Sequence, residues 1–260
     1  MKTFKNIALT LLSSTLFFAC SSDDDNNTST AKANAKVTFD ARVGSADFAL
    51  DTPYTINGTS YQFDGFRYWV GNVEFVNANN ETVAFEDSYF LMEETKAVAV
   101  QEGDFTYPAK KRETFDLNNL PVGNYTKIRF TVGVDAVYND NLSLQAGELS
   151  QLNGMTNISW MWHTSYIFSS LKGKNTASNQ AITVETGLNA NYRTVEITLA
   201  TPFEVKANQV NTLGLNVDVA KIVDGIDLAA TPTVSASTPT VMSAVANNFR
   251  DKVFSVKSVE

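Results

Sequence analysis

The chain has 260 residues, with 20 Lys and Arg against 28 Asp and Glu, for a formal net charge of −8 at pH 7. Such an acidic balance argues against nucleic acid and against charge-driven binding to anionic lipid. One cysteine and one histidine exclude a disulfide framework and any metal site built from several thiolates or imidazoles.

The chain opens with Lys2 and Lys5, an apolar run from Ile7 to Phe18, and Ala19-Cys20 followed by Ser21-Ser22-Asp23-Asp24-Asp25. The run is too short to cross a hydrocarbon core of about 30 Å, and its flanks are those of a secretory signal. It resembles a bacterial lipoprotein signal peptide over residues 1–19, which implies lipidation at Cys20 and an outer-membrane anchor through the lipid. The acidic run after the cysteine resembles the surface-export signal of Bacteroidota lipoproteins, which implies a domain exposed at the cell surface; the periplasmic face is the alternative. Residues 20–35 lack large apolar side chains and are predicted to form a flexible acidic tether, with the folded domain over 36–260.

Within that domain, alternation of apolar and polar residues predicts half-buried strands through Val37, Phe39, Ala41 and Val43; Ile128, Phe130, Val132 and Val134; Val195, Ile197 and Leu199; and Leu213, Leu215, Val217 and Val219. Residues 61–77, 83–92, 181–184 and 254–259 are further strand candidates, separated by turn signals such as Asn57-Gly58, Pro121-Val122-Gly123-Asn124 and Asp224-Gly225. Helix is predicted around 141–152 and over 243–253, where Val245, Phe249 and Val253 recur at helical spacing. The fold class is all-β, an antiparallel β-sandwich or flattened barrel with one or two short helices. Glu86, Asp87, Glu93 and Glu94 read as solvated loop or strand-edge charges. Asp135, followed by Asn139 and Asp140, reads as a turn that bonds its own backbone or as a hard-cation site.

Chemistry concentrates in Trp160-Met161-Trp162-His163-Thr164-Ser165-Tyr166-Ile167-Phe168, which holds two of the three tryptophans and the sole histidine. In a strand, Met161 and His163 would share one face, and thioether with imidazole suits Cu(I). The alternative is a packed aromatic core in which His163 bonds locally. A third reading is a surface glycan- or protein-binding module with exposed aromatics. No Ser-His-Asp arrangement is evident and no enzyme is expected.

The ordered segments KVTFDARVGSADFAL, FDGFRYWVGNVEF, DSYFLME, LPVGNYTKIRFTVGVDAVYN, WMWHTSYIF, ETGLNANYRTVEITL and VANNFRDKVFSV resemble the MbnP-like copper-binding family, named from methanobactin gene clusters and related to the surface copper protein MopE. The resemblance covers nearly the whole mature domain. It implies a β-sandwich at the cell envelope that binds Cu(I) through histidines and a kynurenine made from tryptophan by a partner dihaem cytochrome c peroxidase. Carried onto this chain, it makes Trp160 or Trp162 the candidate oxidised tryptophan and His163 the available imidazole. Three positions depart from the pattern. Glu185-Thr186-Gly187 stands where relatives have His-x-Gly, no histidine occurs from Thr238 to Met242, and Ser165 replaces a glycine. Glu185 is a harder ligand than imidazole, and Met155, Met161 and His163 are the soft candidates nearby.

Overall fold

The computed structural model describes residues 31–100, 104–157 and 165–260. In chain order the strands are β1 (Lys32–Val43), β2 (Ala46–Asp47), β3 (Pro53–Ile56), β4 (Thr59–Asn77), β5 (Thr82–Thr95), β6 (Val98–Val100), β7 (Phe105–Tyr107), β8 (Lys110–Arg112) and β9 (Thr114–Pro121). They continue as β10 (Gly123–Val132), β11 (Thr156–Asn157), β12 (Ser165–Asn175), β13 (Ala181–Gly187), β14 (Arg193–Val205), β15 (Asn211–Asp218), β16 (Thr233–Val234) and β17 (Phe254–Val259). Among the described residues three short α-helices interrupt them, α1 (Ala136–Asn139), α2 (Val219–Ile222) and α3 (Pro239–Asn248).

The strands form a β-sandwich. In the smaller sheet β17, β15 and β1 run side by side, and β9 and β2 share the other edge of β1. In the larger sheet the order is β14-β10-β4-β12-β13-β16, with β5 and β3 also paired to β4 and β8 paired to β5. No closed barrel forms among the described residues. Nor is every pairing antiparallel, because β1 pairs with β15, and β13 with β16, in parallel. Parallel neighbours need a crossover rather than a hairpin, and β1 and β15 come from opposite ends of the domain.

Each alternating set read from the sequence supplies its core face: Val37 and Phe39 from β1, Ile128 and Phe130 from β10, Leu213, Leu215 and Val217 from β15, all at most 1% exposed. Phe39 ties the layers together. Its ring lies 5.2 Å from Phe130 and 6.3 Å from Tyr68 of the larger sheet, and 5.7 Å from Phe115 and 5.9 Å from Phe254 of its own. Asn57 and Gly58 have φ of 50° and 79°, the left-handed pair of a tight two-residue hairpin turn joining β3 to β4.

Three expectations need correction. β1 already starts at Lys32, within the stretch expected as tether up to residue 35, because β9 pairs with it from Lys32 onward and Ala35 is buried in the core. Of the helical turn or more expected around 141–152, a single 3-10 turn forms at Gln151–Asn153, and 141–150 contain no helix. Gly147, at φ 53°, presses its backbone so close to Tyr89 that a Cβ would lie 2.4 Å from the Tyr89 amide nitrogen. Glu148 N–H then bonds the Tyr89 carbonyl at 3.0 Å, so the stretch lies as an irregular cover on β5. The C-terminal helix starts earlier than read, with Pro239 in its first turn, and passes into a π-helical turn at Phe249–Val253.

Removing the Phe39 ring leaves a void at the joint of both sheets, so Phe39→Ala is expected to cost about 3–5 kcal/mol in urea denaturation. Val210→Ala, at a side chain 81% exposed, is expected to change stability by less than about 0.5 kcal/mol.

Candidate metal-binding region

The long strand β4 is buried on both faces from Gly65 through Gly71. Tyr68 and Val70 enter the main core, whereas Trp69 joins a second cluster on the outer face with Tyr89, Leu91, Val134, Leu149, Met155, Tyr166 and Phe168. Residues 133–157 supply the cover for that cluster. The Trp69 and Tyr166 rings meet edge to face at 6.1 Å, and the buried Trp69 Nε1 and Tyr166 hydroxyl have no hydrogen-bond partner among the described residues.

Beside the cluster a polar row crosses four strands. Glu93 on β5 stands opposite Arg67 on β4, Arg67 opposite Ser170 on β12, and Ser170 opposite Glu185 on β13. Arg67 donates from Nε to Glu93 Oε2 at 2.9 Å and from Nη2 to the Asn153 carbonyl at 2.7 Å, and Nη2 also lies 2.8 Å from Glu93 Oε2. The other Glu93 oxygen accepts from the Tyr107 hydroxyl at 2.6 Å and lies 3.2 Å from Lys110 Nζ. Glu93 is therefore no solvated edge charge. It is 3% exposed and survives burial because four donors surround it.

Asp135 closes the opposite end of the outer face. Its backbone carbonyl accepts from the amides of Tyr138 and Asn139 at 3.0 and 2.8 Å, but its side chain makes no capping bond to α1, unlike the turn reading. Its carboxylate accepts from the Tyr89 hydroxyl and from Asn72 Nδ2, which also donates to the Tyr192 hydroxyl at 3.0 Å. Burial, reinforced by that carboxylate, pushes Tyr192 up to about 12 and Tyr89 well above the ordinary tyrosine value.

Of the site residues expected from sequence, Cys20, Trp160, Met161, Trp162 and His163 lie outside the described residues. On either side of 158–164, Asn157 pairs with Ser165 and Thr156 with Tyr166 between β11 and β12. Met155 is 1% exposed, packed in the second cluster. The Glu185 carboxylate accepts from Ser170 Oγ at 3.2 Å and pairs with Lys172 Nζ at 2.9 Å. Glu185 and Met155 therefore face the same side of the sheet, but Glu185 is already held by a cation.

A small void of about 20 Å³ lies at these strand ends, lined by Asn157, Ser165, Tyr166, Glu185, Gly187 and Met242, among others. That is room for about one water molecule or one ion. Met242, from α3, brings a thioether that sequence spacing did not reveal; its Sδ accepts from Asn191 Nδ2 at 3.0 Å, and the same amide donates to the Gly187 carbonyl at 2.7 Å. Asn139 fixes the start of β12 by accepting from the Tyr166 amide at 2.9 Å. Among the described residues, the one group of three close carboxylates is Asp40, Asp47 and Glu113, where Asp40 is paired with Arg42 and Lys257 at 2.9 Å each. Phe105 is the only exposed aromatic side chain among the described residues, which gives a surface aromatic platform little described area.

A family model described as MbnP matches residues 32–243. No curated protein matches the chain. Among solved structures, MbnP from Methylosinus trichosporium is similar at 17% identity, covering 76% of this chain and 79% of that one with a TM-score of 0.50. At that identity the likeness concerns the fold.

Glu93→Gln would leave Arg67 and Lys110 without their shared carboxylate, so it is expected to cost about 3–5 kcal/mol in chemical denaturation. The pair Arg67→Met with Glu93→Leu is expected to recover most of that loss. Because Tyr192 holds its proton more tightly folded than unfolded, its contribution to stability is complete below the unfolded tyrosine value of about 10 and is lost as pH rises through about 12. Tyr192→Phe is expected to flatten that decline in denaturation midpoints measured across the alkaline range.

Proposed function

The chain belongs to the MbnP family, and from that premise we propose that it is a non-catalytic envelope lipoprotein that captures copper as Cu(I) cargo and hands it on. The observation that carries the reading is that the family match over 32–243 runs through the stretch holding Trp160, Met161, Trp162 and His163. Imidazole and thioether are the ligand types that suit a soft monovalent ion, whereas a carboxylate suits a harder one. On that basis His163 is the principal ligand, with Met161 and Met242 as thioether donors; Glu185, bound to Lys172 and Ser170, serves the surrounding shell. Met155, packed among apolar side chains, supports the wall. Cys20 carries the lipid anchor to the outer membrane, with the domain at the cell surface. A dihaem cytochrome c peroxidase is the proposed partner, acting on Trp160 or Trp162.

Cu(I) titrated against a chromophoric chelator tests the reading. Wild-type protein is expected to compete for the ion, and His163→Ala and Met242→Leu to weaken it, each by about tenfold or more. Mass analysis of native material is expected to find kynurenine at Trp160 or Trp162. Absence of competition in both unmodified and peroxidase-treated protein rejects the proposal.

A further inference from the structure

We propose that the outer face of the larger sheet carries a separate binding site, a cavity over Arg67 that takes a small organic anion with a carboxylate head and a short apolar tail. The cavity measures about 370 Å³ and is lined by Gly65, Arg67, Lys96, Val98, Met155 and Lys172, among others, a volume in the range of small-molecule sites. It exists because Gly65 places no side chain over this part of β4; a Cβ there would meet Thr95 Oγ1 at 3.2 Å.

Its floor is cationic and dry. The Arg67 side chain is 5% exposed and Glu93 is fully buried, yet that one carboxylate is shared between Arg67 and Lys110. Two buried or half-buried cations thus face one anion. The described bonds of Arg67 run through Nε and Nη2, while Nη1 is the nitrogen beside Gly154, 3.7 Å from the position of a Cβ there, and Gly154 lines the same cavity. Tyr107 covers one side of the guanidinium at 4.8 Å, which helps hold it in place.

The rim adds Lys96, bonded to Asp51 and Asp64 at 2.7 Å, and Lys172, bonded to Glu185 at 2.9 Å. These ammonium groups are about half exposed, so their pairs are screened by solvent and weigh less than the buried floor. An anion therefore seats its head at Arg67, where a charge-assisted hydrogen bond is strongest. Ala97, Val98, Ala99 and Met155 make the walls apolar, which favours an alkyl tail over a strongly hydrated polyanion such as phosphate.

Metal-free protein isolates this site from the copper reading, so the two fail independently. Amide NMR shifts would be followed while hexanoate, acetate or inorganic phosphate is titrated into the wild-type protein. Hexanoate is expected to move the amides of Gly65, Val98 and Ser170 saturably in the millimolar range, about tenfold tighter than acetate, because its extra methylenes enter the apolar walls. Phosphate is expected to leave them in place. Lys96→Ala and Lys172→Ala should each weaken hexanoate by about threefold to tenfold. Ala97→Trp, which fills the cavity from an exposed loop position without altering charge, should abolish the shifts at unchanged thermal stability. Shifts scattered over the surface, equal response to phosphate, or binding undisturbed by Ala97→Trp would overturn the proposal.

Discussion

The buried pair between Arg67 and Glu93 sets the terms for the larger sheet. The two residues stand directly opposite each other on β4 and β5, with nearly all of both side chains out of solvent. Since strand side chains alternate faces, a slip of one residue would move the charges to the face occupied by Phe66, Tyr68 and Met92 and strand them among aromatic rings. The correct register sends Trp69, Tyr89 and Leu91 outward to the second cluster and Tyr68 and Met92 inward to the sandwich core. One ion pair therefore fixes which face of the central strand is which.

That partition determines where chemistry can be housed. The inner face is filled by side chains from both sheets, leaving the outer face to hold the polar row, the Asp135 turn and the strand ends on either side of residues 158–164. The cover formed by residues 133–157 is fastened by directional bonds rather than by regular structure: Glu148 to the Tyr89 backbone, Asn139 to the Tyr166 amide, and the Tyr89 hydroxyl to Asp135. Such anchors place Met155 and the start of β12 in defined positions while the connecting backbone remains irregular.

Much of this frame was legible from residue order, and the failures share a cause. Strands with one wet face, such as β1 and β15, announce themselves by alternation. β4 announces its presence through aromatic content but hides its face assignment, because residues 65–71 are buried on both sides and the alternating pattern vanishes. Glu93 resembles its exposed neighbours Glu86 and Asp87 until its partners, distant in sequence, are in place. The helical turn expected around 141–152 is confined to Gln151–Asn153, because the close approach of Gly147 to β5 holds the preceding residues irregular. Met242 carried no metal-ligand spacing at all; it meets Gly187 and Asn191 only because α3 packs on β13. The histidine and tryptophan motif was visible in the sequence from the start.

The parallel pair of β1 and β15 has a kinetic consequence. Asn211 reaches back to the Asn34 carbonyl across 177 positions, and β17 adds to β15 only at the very end of the chain. Loop closure over such a span must precede any reward from pairing. During synthesis β2 and β9 can pair with β1 early, but the edge of β1 that takes β15 stays unpaired, and the smaller sheet incomplete, until β15 and β17 emerge. Such a domain is expected to fold slowly and late, and its half-made form is the state most exposed to aggregation and to chaperone capture.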